Sequence, residues 1–368
     1  MGFNDPTSFA ASVGADDALV AETCAEYGAL TRARLESYLP EGAPDARGPA
    51  ARDDGDLARL IADYPRRGGK MLRPSLCIAA ARAFGASAED ALDSAVAIEL
   101  LHNAMLVHDD IEDDSEQRRG TPTLHALHGL PLALNAGDAL GLLSLRPLKH
   151  NVARLGLPLA LRIFEETERM AWETTEGQAL ELAWRRDNRD DIDEEAYLTM
   201  VLKKTCWLTT IHPLRVGCLI GTRGGARADA SMDTLIRLGF FFGAAFQIQD
   251  DILNLEPGAG YGKEVAGDLL EGKRTLMLIH AARRAAPAER ERLARFLALP
   301  RAERTPAELA WLMDLIAASG AVEHARQVAR GLAGAALHEF ALAFAGRPEE
   351  RDLRFIRALV TWVLRRLH

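Results

Sequence analysis

Apolar positions along this chain recur at three- and four-residue intervals almost without interruption. "ALVAETCAEYGALTRARLESYL", "MLRPSLCIAAARAFG", "DALDSAVAIELLHNAMLVH", "LALRIFEETERMAWETTEGQALELAW" and "AYLTMVLKKTCWLTTIHPLRVGCLIG" each place a broad apolar stripe on one side of a helix. Alternating strand-like runs are absent, and Ala, Leu, Arg and Glu, all good helix formers, dominate. Breaks fall where the turn chemistry sits. "PEGAPDARGPAARDDG" (residues 40–55) and "RGGARAD" are loops, and "LEPGAGYGKEVAG" is a glycine-rich connection between helices. "RRDNRDDIDEEA" is a solvated turn joining two helices. In "RTPAE", Thr305 is the N-cap, Pro306 the first helical residue and Glu308 the closing acid of a capping box.

No composition shift marks a domain boundary. The pattern predicts one all-α domain over residues 1–368: an N-terminal helix and loop (1–50), a core (55–285) and C-terminal helices (286–368). With 368 residues, 48% of them hydrophobic, the chain has ample material for a core around a cavity. A net charge of −9 argues against a nucleic-acid partner. Four cysteines without C-x-x-C spacing read as reduced thiols of a cytoplasmic protein. Neither a secretory leader nor an apolar run long enough for an integral membrane segment is visible.

Charge becomes informative in "HDDIEDDSEQRRG", which follows the apolar segment "AVAIELLHNAML". On a helix Asp109 and Asp113 share a face, with Asp110 beside them, and like charges so spaced repel unless exposed or neutralised. The apolar run before them disfavours exposure. Hard divalent cations such as Mg²⁺ take oxygen ligands and often bridge carboxylates to substrate phosphates. The device recurs in "FFFGAAFQIQDDILNL", where Asp250 and Asp251 close a second apolar helix and Asn254 stands four positions on. Two such helices suggest two walls of one cavity. Cations follow both: Arg118 and Arg119 after the first, Lys263, Lys273 and Arg274 after the second. Lys70 and Arg73 open another helix, where free N–H groups also favour anions, and Lys204 and Thr205 interrupt an apolar one. The combination suits ligands with highly charged heads and an oily tail, and two cation groups suggest two heads.

With these residues in view, the sequence resembles the trans-isoprenyl diphosphate synthases, or polyprenyl synthetases. The resemblance covers about residues 55–285 and rests on "GGKMLRP", "LLHNAMLVHDDIEDDSEQRRGTPTLH", "NAGDAL", "KKT", "FQIQDD" and "GKEVAGDLLEGKRTL" in that order. "HNAMLVHDDIEDDSEQRRGTP" together with "EEAYLTMVLKKT" is similar to geranylgeranyl diphosphate synthases. The resemblance implies a helical bundle around a central cavity, usually a homodimer, that condenses isopentenyl diphosphate with an allylic diphosphate. It implies three Mg²⁺ ions on Asp109, Asp113 and Asp250, supported by Asp110 and Asp251. Arg118, Lys204 and Lys263 would clamp the allylic diphosphate, and Lys70, Arg73, His102, Arg119 and Lys273 the isopentenyl diphosphate. Thr205 and Gln247 would face the developing allylic cation, and the glycine-rich loop would close over the heads.

Asn254 departs from the third aspartate usual in the second motif, which puts affinity for the third ion in question. Product length should depend on the helix leading to Asp109. Ala104 and Met105 precede it by five and four positions, neither is aromatic, and Leu101 lies a turn lower. With about 5.4 Å per turn, close to one isoprene unit, Leu101 as floor favours a twenty-carbon product over fifteen, and Ala97 a turn lower leaves a longer product open.

Overall fold

The computed structural model describes residues 6–40, 56–256 and 264–365. Seventeen α-helices follow in order: α1 (Pro6–Glu36), α2 (Asp56–Arg66), α3 (Leu72–Ala83), α4 (Ala88–Glu112), α5 (Leu124–His128), α6 (Leu130–Leu143), α7 (Leu145–Leu155), α8 (Leu157–Arg186), α9 (Glu194–Val201), α10 (His212–Gly221), α11 (Ala226–Leu255), α12 (Gly267–Glu271), α13 (Leu276–Arg284), α14 (Pro287–Ala298), α15 (Pro306–Ala318), α16 (Ala321–Ala343) and α17 (Arg351–Arg365). The expected all-α architecture is what forms. Its sole sheet among the described residues is a hairpin of β1 (Gln117–Arg118) and β2 (Thr121–Pro122), antiparallel with Arg118 opposite Thr121. Arg119 and Gly120 turn it, both at positive φ (56° and 70°), the pattern of a tight primed hairpin turn.

The punctuation read from sequence sits at helix ends. Thr305 Oγ accepts from the Glu308 amide at the start of α15, while the Glu308 carboxylate pairs with Arg292 and leaves the expected box unclosed. The acidic stretch after Arg186 joins α8 to α9 and supplies Asp193, whose carboxylate accepts from the Ala196 amide. Ser87 caps α4, with Asp90 bonding back to complete a capping box. Most of the loop at 40–55 lies outside the described residues.

α4 and α11 are the two long helices that carry the acidic motifs, and apolar packing fixes both. α4 packs between α3 on one side and α6 and α7 on the other, while α11 packs along α16. One element departs from expectation: Leu202–Ile211, between α9 and α10, is π-helical. Packing against it is unusually tight. A Cβ at Gly177 of α8 would stand 2.2 Å from the Lys204 amide nitrogen, and one at Gly243 of α11 would stand 2.6 Å from Thr210 Oγ1. Glycines on both flanking helices thus let their backbones press against a wide helix, and π segments of this kind recur at functional sites.

Candidate active site

α4 and α11 both end in acids, with no basic residue in either last turn. Helix C-termini already carry partial negative charge, so carboxylates there concentrate negative potential instead of offsetting it. Asp109, near the end of α4, and Asp250 and Asp251, near the end of α11, line one cavity of about 360 Å³. Lys204, Thr205, Gln247, Arg118, Arg73 and His102 line the same cavity. The two acidic motifs therefore meet over a single space, as the sequence suggests.

The polar wall is wired in detail. Asp109 has Lys204 Nζ at 3.3 Å from one oxygen and Arg118 Nη2 at 3.4 Å from the other, both loose contacts. Lys204 also pairs with Glu181 of α8. Burial would lower the pKa of Lys204, but Glu181 and Asp109 outweigh it and hold the ammonium above its ordinary range. Thr205 donates to Gln247 Oε1 at 2.8 Å, and Gln247 Nε2 donates to Asp251 Oδ1 at 2.7 Å. Tyr197 fixes the other Asp251 oxygen at 2.8 Å. Burial pushes Asp251 up to about 8, with Asp268 and Asp250 adding repulsion that the Gln247 and Tyr197 bonds only partly oppose. Glu112 is raised likewise, by burial and by Asp109 and Asp113.

Several expected site residues stand elsewhere than anticipated, among them Asp113, which is off the cavity wall and buried between Arg185 and Lys273. Asp110 is buried at 0% exposure and does not face the cavity; Tyr64 and Arg118 donate to its carboxylate, Arg118 Nε at 2.9 Å. Its place is that of an anchor for Arg118, because the carboxylate beside Asp109 on the helix must point about 100° away. Lys273 lines the cavity, as Arg73 does, and its direct ion pairs are with acids. It bridges Asp113 at 2.7 Å and Glu271 at 2.6 Å, with Asp268 at 3.6 Å, so it neutralises the acids between the two motifs. Ala104 is off the cavity wall, in an apolar cluster with Leu100, Val107, Ala136 and Leu140 at the α4–α6 contact. Met105 does line the cavity, and Leu101, one turn below it, packs with it against the same apolar cluster as Ile248 and Ile252.

The second cation group assembles around a buried acid that sequence reading passed over. Glu99 is 3% exposed, accepts from Asn103 Nδ2 at 3.2 Å and is acted on by both Arg73 and Arg119. Arg73 donates to Thr209 Oγ1 at 2.8 Å and to His102 Nε2 at 3.3 Å. Burial lowers Arg73 to about 10. Burial and the Arg73 and Arg119 cations hold His102 well below its ordinary value, so it is a neutral acceptor. Arg119 abuts Gly69, next to Lys70, whose ammonium lies 5.4 Å from the centre of the Trp362 ring. Lys70 and Arg119 are not on the cavity wall. Lys263 and the centre of the glycine-rich loop lie outside the described residues. Arg274 is a strut, donating to the Gly272 and Arg189 carbonyls and to Asn188 Oδ1. Arg365 pairs with Asp17 of α1, and Arg366 lies outside the described residues.

Asn254 is buried away from the cavity. Its side-chain oxygen accepts from the Asp268 amide at 3.1 Å and its nitrogen donates to the Glu264 carbonyl at 3.4 Å. An aspartate could not donate, so the amide suits this turn, which carries Asp268 into the site. Gln178 and Glu181, three apart on α8, belong to the site without any motif in the sequence: Gln178 donates to Asp109 and Glu112, and Glu181 pairs with Lys204. Their signal was polar residues in "TTEGQALELAW" directly beside Gly177, which reads as an ordinary solvated face until the partner helix is known.

The acids that face the cavity offer only oxygen donors and repel one another, which fits a hard divalent cation. Among the described residues no helix is long and apolar enough to cross a membrane.

Comparison with known proteins agrees with this arrangement. Residues 56–316 match the family described as polyprenyl synthetase. A geranylgeranyl pyrophosphate synthase of Geoglobus acetivorans is 34% identical over 264 residues, covering 72% of this chain and 76% of the relative. The crystal structure of geranylgeranyl pyrophosphate synthetase from Pyrococcus horikoshii superposes with a TM-score of 0.79 at 28% identity, over 95% of this chain and 99% of that one. A Corynebacterium glutamicum geranylgeranyl pyrophosphate synthase, solved with isoprenyl diphosphate and magnesium, gives a TM-score of 0.80 at 25% identity, over 93% and 99%. With a family match over most of its length and a relative one-third identical across the same core, the chain belongs to the polyprenyl synthetase family, as a prenyltransferase of the isoprenyl diphosphate synthase kind.

Proposed function

We propose that this chain condenses isopentenyl diphosphate with dimethylallyl, geranyl or farnesyl diphosphate, head to tail, and that its principal product is twenty-carbon geranylgeranyl diphosphate. The observation that carries the reading is the meeting of Asp109 and Asp250 with Lys204 over one cavity. Asp109, Asp113 and Asp250, with Asp251 beside them, would hold Mg²⁺, three ions in all. Bound there, Mg²⁺ supplies Lewis-acid neutralisation of the departing pyrophosphate. Asp113, balanced by both Arg185 and Lys273, reaches the site through Lys273, which lines the cavity.

The chain's own residues do the rest. Lys204, held charged by Glu181, and Arg118, held by Asp110, bind the allylic diphosphate. Lys263 is assigned to the same clamp. Arg73 and Arg119, sharing Glu99, with Lys70 and neutral His102, receive the isopentenyl diphosphate. Thr205 commits its proton to Gln247, so its oxygen lone pairs are left for the electron-deficient carbon. Met105, Leu208 and Phe246 line the cavity with apolar surface that excludes water from that carbon. The released pyrophosphate, left beside the new cation, takes its proton. Met105, on the cavity wall one turn below Asp109, with Leu101 a turn deeper, supports the twenty-carbon length over fifteen. An exposed apolar strip on α6, α7 and α8, including Leu130, Leu142, Leu145, Leu161 and Trp172 at 46–70% exposure, supports a homodimer through that face. The four free cysteines support a cytoplasmic setting.

The test is turnover with Mg²⁺, isopentenyl diphosphate and each starter separately, with products resolved by chain length. Condensation requiring both substrates and ending at twenty carbons is expected. Cyclised hydrocarbon from one substrate alone, or full turnover after Asp109→Ala and Asp250→Ala are combined, would overturn the reading.

A further inference from the structure

Away from the cavity, three helices bring together Glu194, His280 and His324. Glu194 opens α9, His280 lies in the middle of α13, and His324 is in the first turn of α16. One donor atom of each lies within 4.8 Å of the others. His324 Nε2 is 2.9 Å from Glu194 Oε1, and the two imidazoles stack with centroids 4.1 Å apart at 27°. None of the three lines the catalytic cavity.

We propose that Glu194, His280 and His324 form a site for a borderline divalent cation of the Zn²⁺ class, which ties the C-terminal helix α16 to α9 and α13. Two imidazoles with one carboxylate favour Zn²⁺ over the hard Mg²⁺ that suits the all-oxygen acids of the cavity. Distances permit closure. Zn²⁺ binds imidazole nitrogen at about 2.0–2.1 Å, so two donors across a tetrahedral ion stand about 3.3 Å apart. Donors already within 4.8 Å reach that spacing by shifts under about 1.5 Å, together with a rotation of the stacked imidazoles that brings the ion into both ring planes. The surroundings are those of a held ligand: His280 also hydrogen-bonds to the Ser319 backbone, the sort of partner that fixes one nitrogen of an imidazole and leaves the other to a metal. Arg284, the nearby cation acting on His280, is turned to the Ser319 carbonyl at 3.5 Å. With three protein donors, water takes the fourth position. The mechanical consequence follows from chain order, because α9 runs directly into the π-helical segment that holds Lys204 and Thr205.

The experiment uses tag-free, full-length protein stripped with chelator and dialysed against Zn²⁺ in excess Mg²⁺. Elemental analysis should find one tightly held Zn²⁺ per chain, and the melting temperature should rise by several degrees. Co²⁺ in its place should give visible ligand-field absorption without a thiolate charge-transfer band, since no cysteine is in the cluster. His324→Ala should abolish all three signals while condensation with Mg²⁺ persists, and Asp109→Asn should leave them intact. Should His324→Ala not fold, Glu194→Gln, at a half-buried helix start, decides by the same readouts. A wild-type chain that retains no Zn²⁺, retention undiminished in the His324 or Glu194 variant, or loss on Asp109→Asn overturns the proposal and leaves a histidine–glutamate hydrogen bond only.

Discussion

Replacing Gly177 by alanine adds one methyl group where there is no room for it. The new Cβ would lie 2.2 Å from the Lys204 amide nitrogen and 2.7 Å from Lys203 Cβ, against 3.4 Å for the nearest ordinary contact. α8 and the π-helical segment must therefore part by about 1.2 Å, and the obstacle is backbone, which has no rotamer to yield. Overpacking of this sort costs about 1–3 kcal/mol, and melting should fall by a few degrees. The catalytic effect should be larger, because the displaced residue is Lys204 itself, with Glu181 on the moving helix as its partner. A misplacement near 1 Å can cost about 10²-fold in rate. Steady-state condensation kinetics should show that loss in kcat, with the KM for isopentenyl diphosphate changed less, since Arg73 and His102 are on other helices. Gly334→Ala in α16 is the control: nothing lies within 4 Å of its added methyl, so it should gain up to about 1 kcal/mol from helix propensity and leave kcat alone. Wild-type kcat and melting in Gly177→Ala would refute the argument that this contact sets the position of Lys204.

Product length and acidity give further expectations. Met105→Phe, on the cavity wall, should shorten the main product by one five-carbon unit. Ala104→Phe should leave product length unchanged and lower the melting temperature, because it intrudes at the α4–α6 contact at an overpacking cost of about 1–3 kcal/mol; chromatography of dephosphorylated products beside thermal melts separates the two, and shortening by Ala104→Phe alone would reverse the assignment. Asp251, raised to about 8 from 3.8, is a carboxyl whose folded-state pKa exceeds its unfolded value, so metal-free protein loses stability as pH rises between those values. Chelator-treated protein should melt at progressively lower temperature from about pH 5 to about pH 8, less steeply in Asp251→Asn, and Mg²⁺ should flatten the fall by taking up the charge. Equal slopes in wild type and variant would show that Asp251 is not the titrating group.

Much of this protein is determined locally. The 3.6-residue period of its apolar positions calls for helices, and Thr305, Asp193 and Ser87 start three of them with their own side chains, so those helix starts need no distant contact. The acidic ends of α4 and α11 were legible for the same reason, since an apolar helix that finishes in aspartates is costly unless something neutralises it. What no local pattern encodes is direction after packing. Asp109 and Asp110 are neighbours in sequence, yet one faces the cavity and the other is buried beneath Arg118 and Tyr64, because the helix rotates each residue by about 100° and only the neighbouring helices decide which side is hollow. The same rotation sends Met105 to the tail and Ala104 to α6. Lys273, Glu99, Gln178 and Glu181 acquired their places from chain segments far away in sequence, as did the π-helical stretch, which is shaped by glycines on two other helices. Sequence fixes which groups are charged and which helices exist; the packing of apolar faces, blind to those charges, then determines which of them meet.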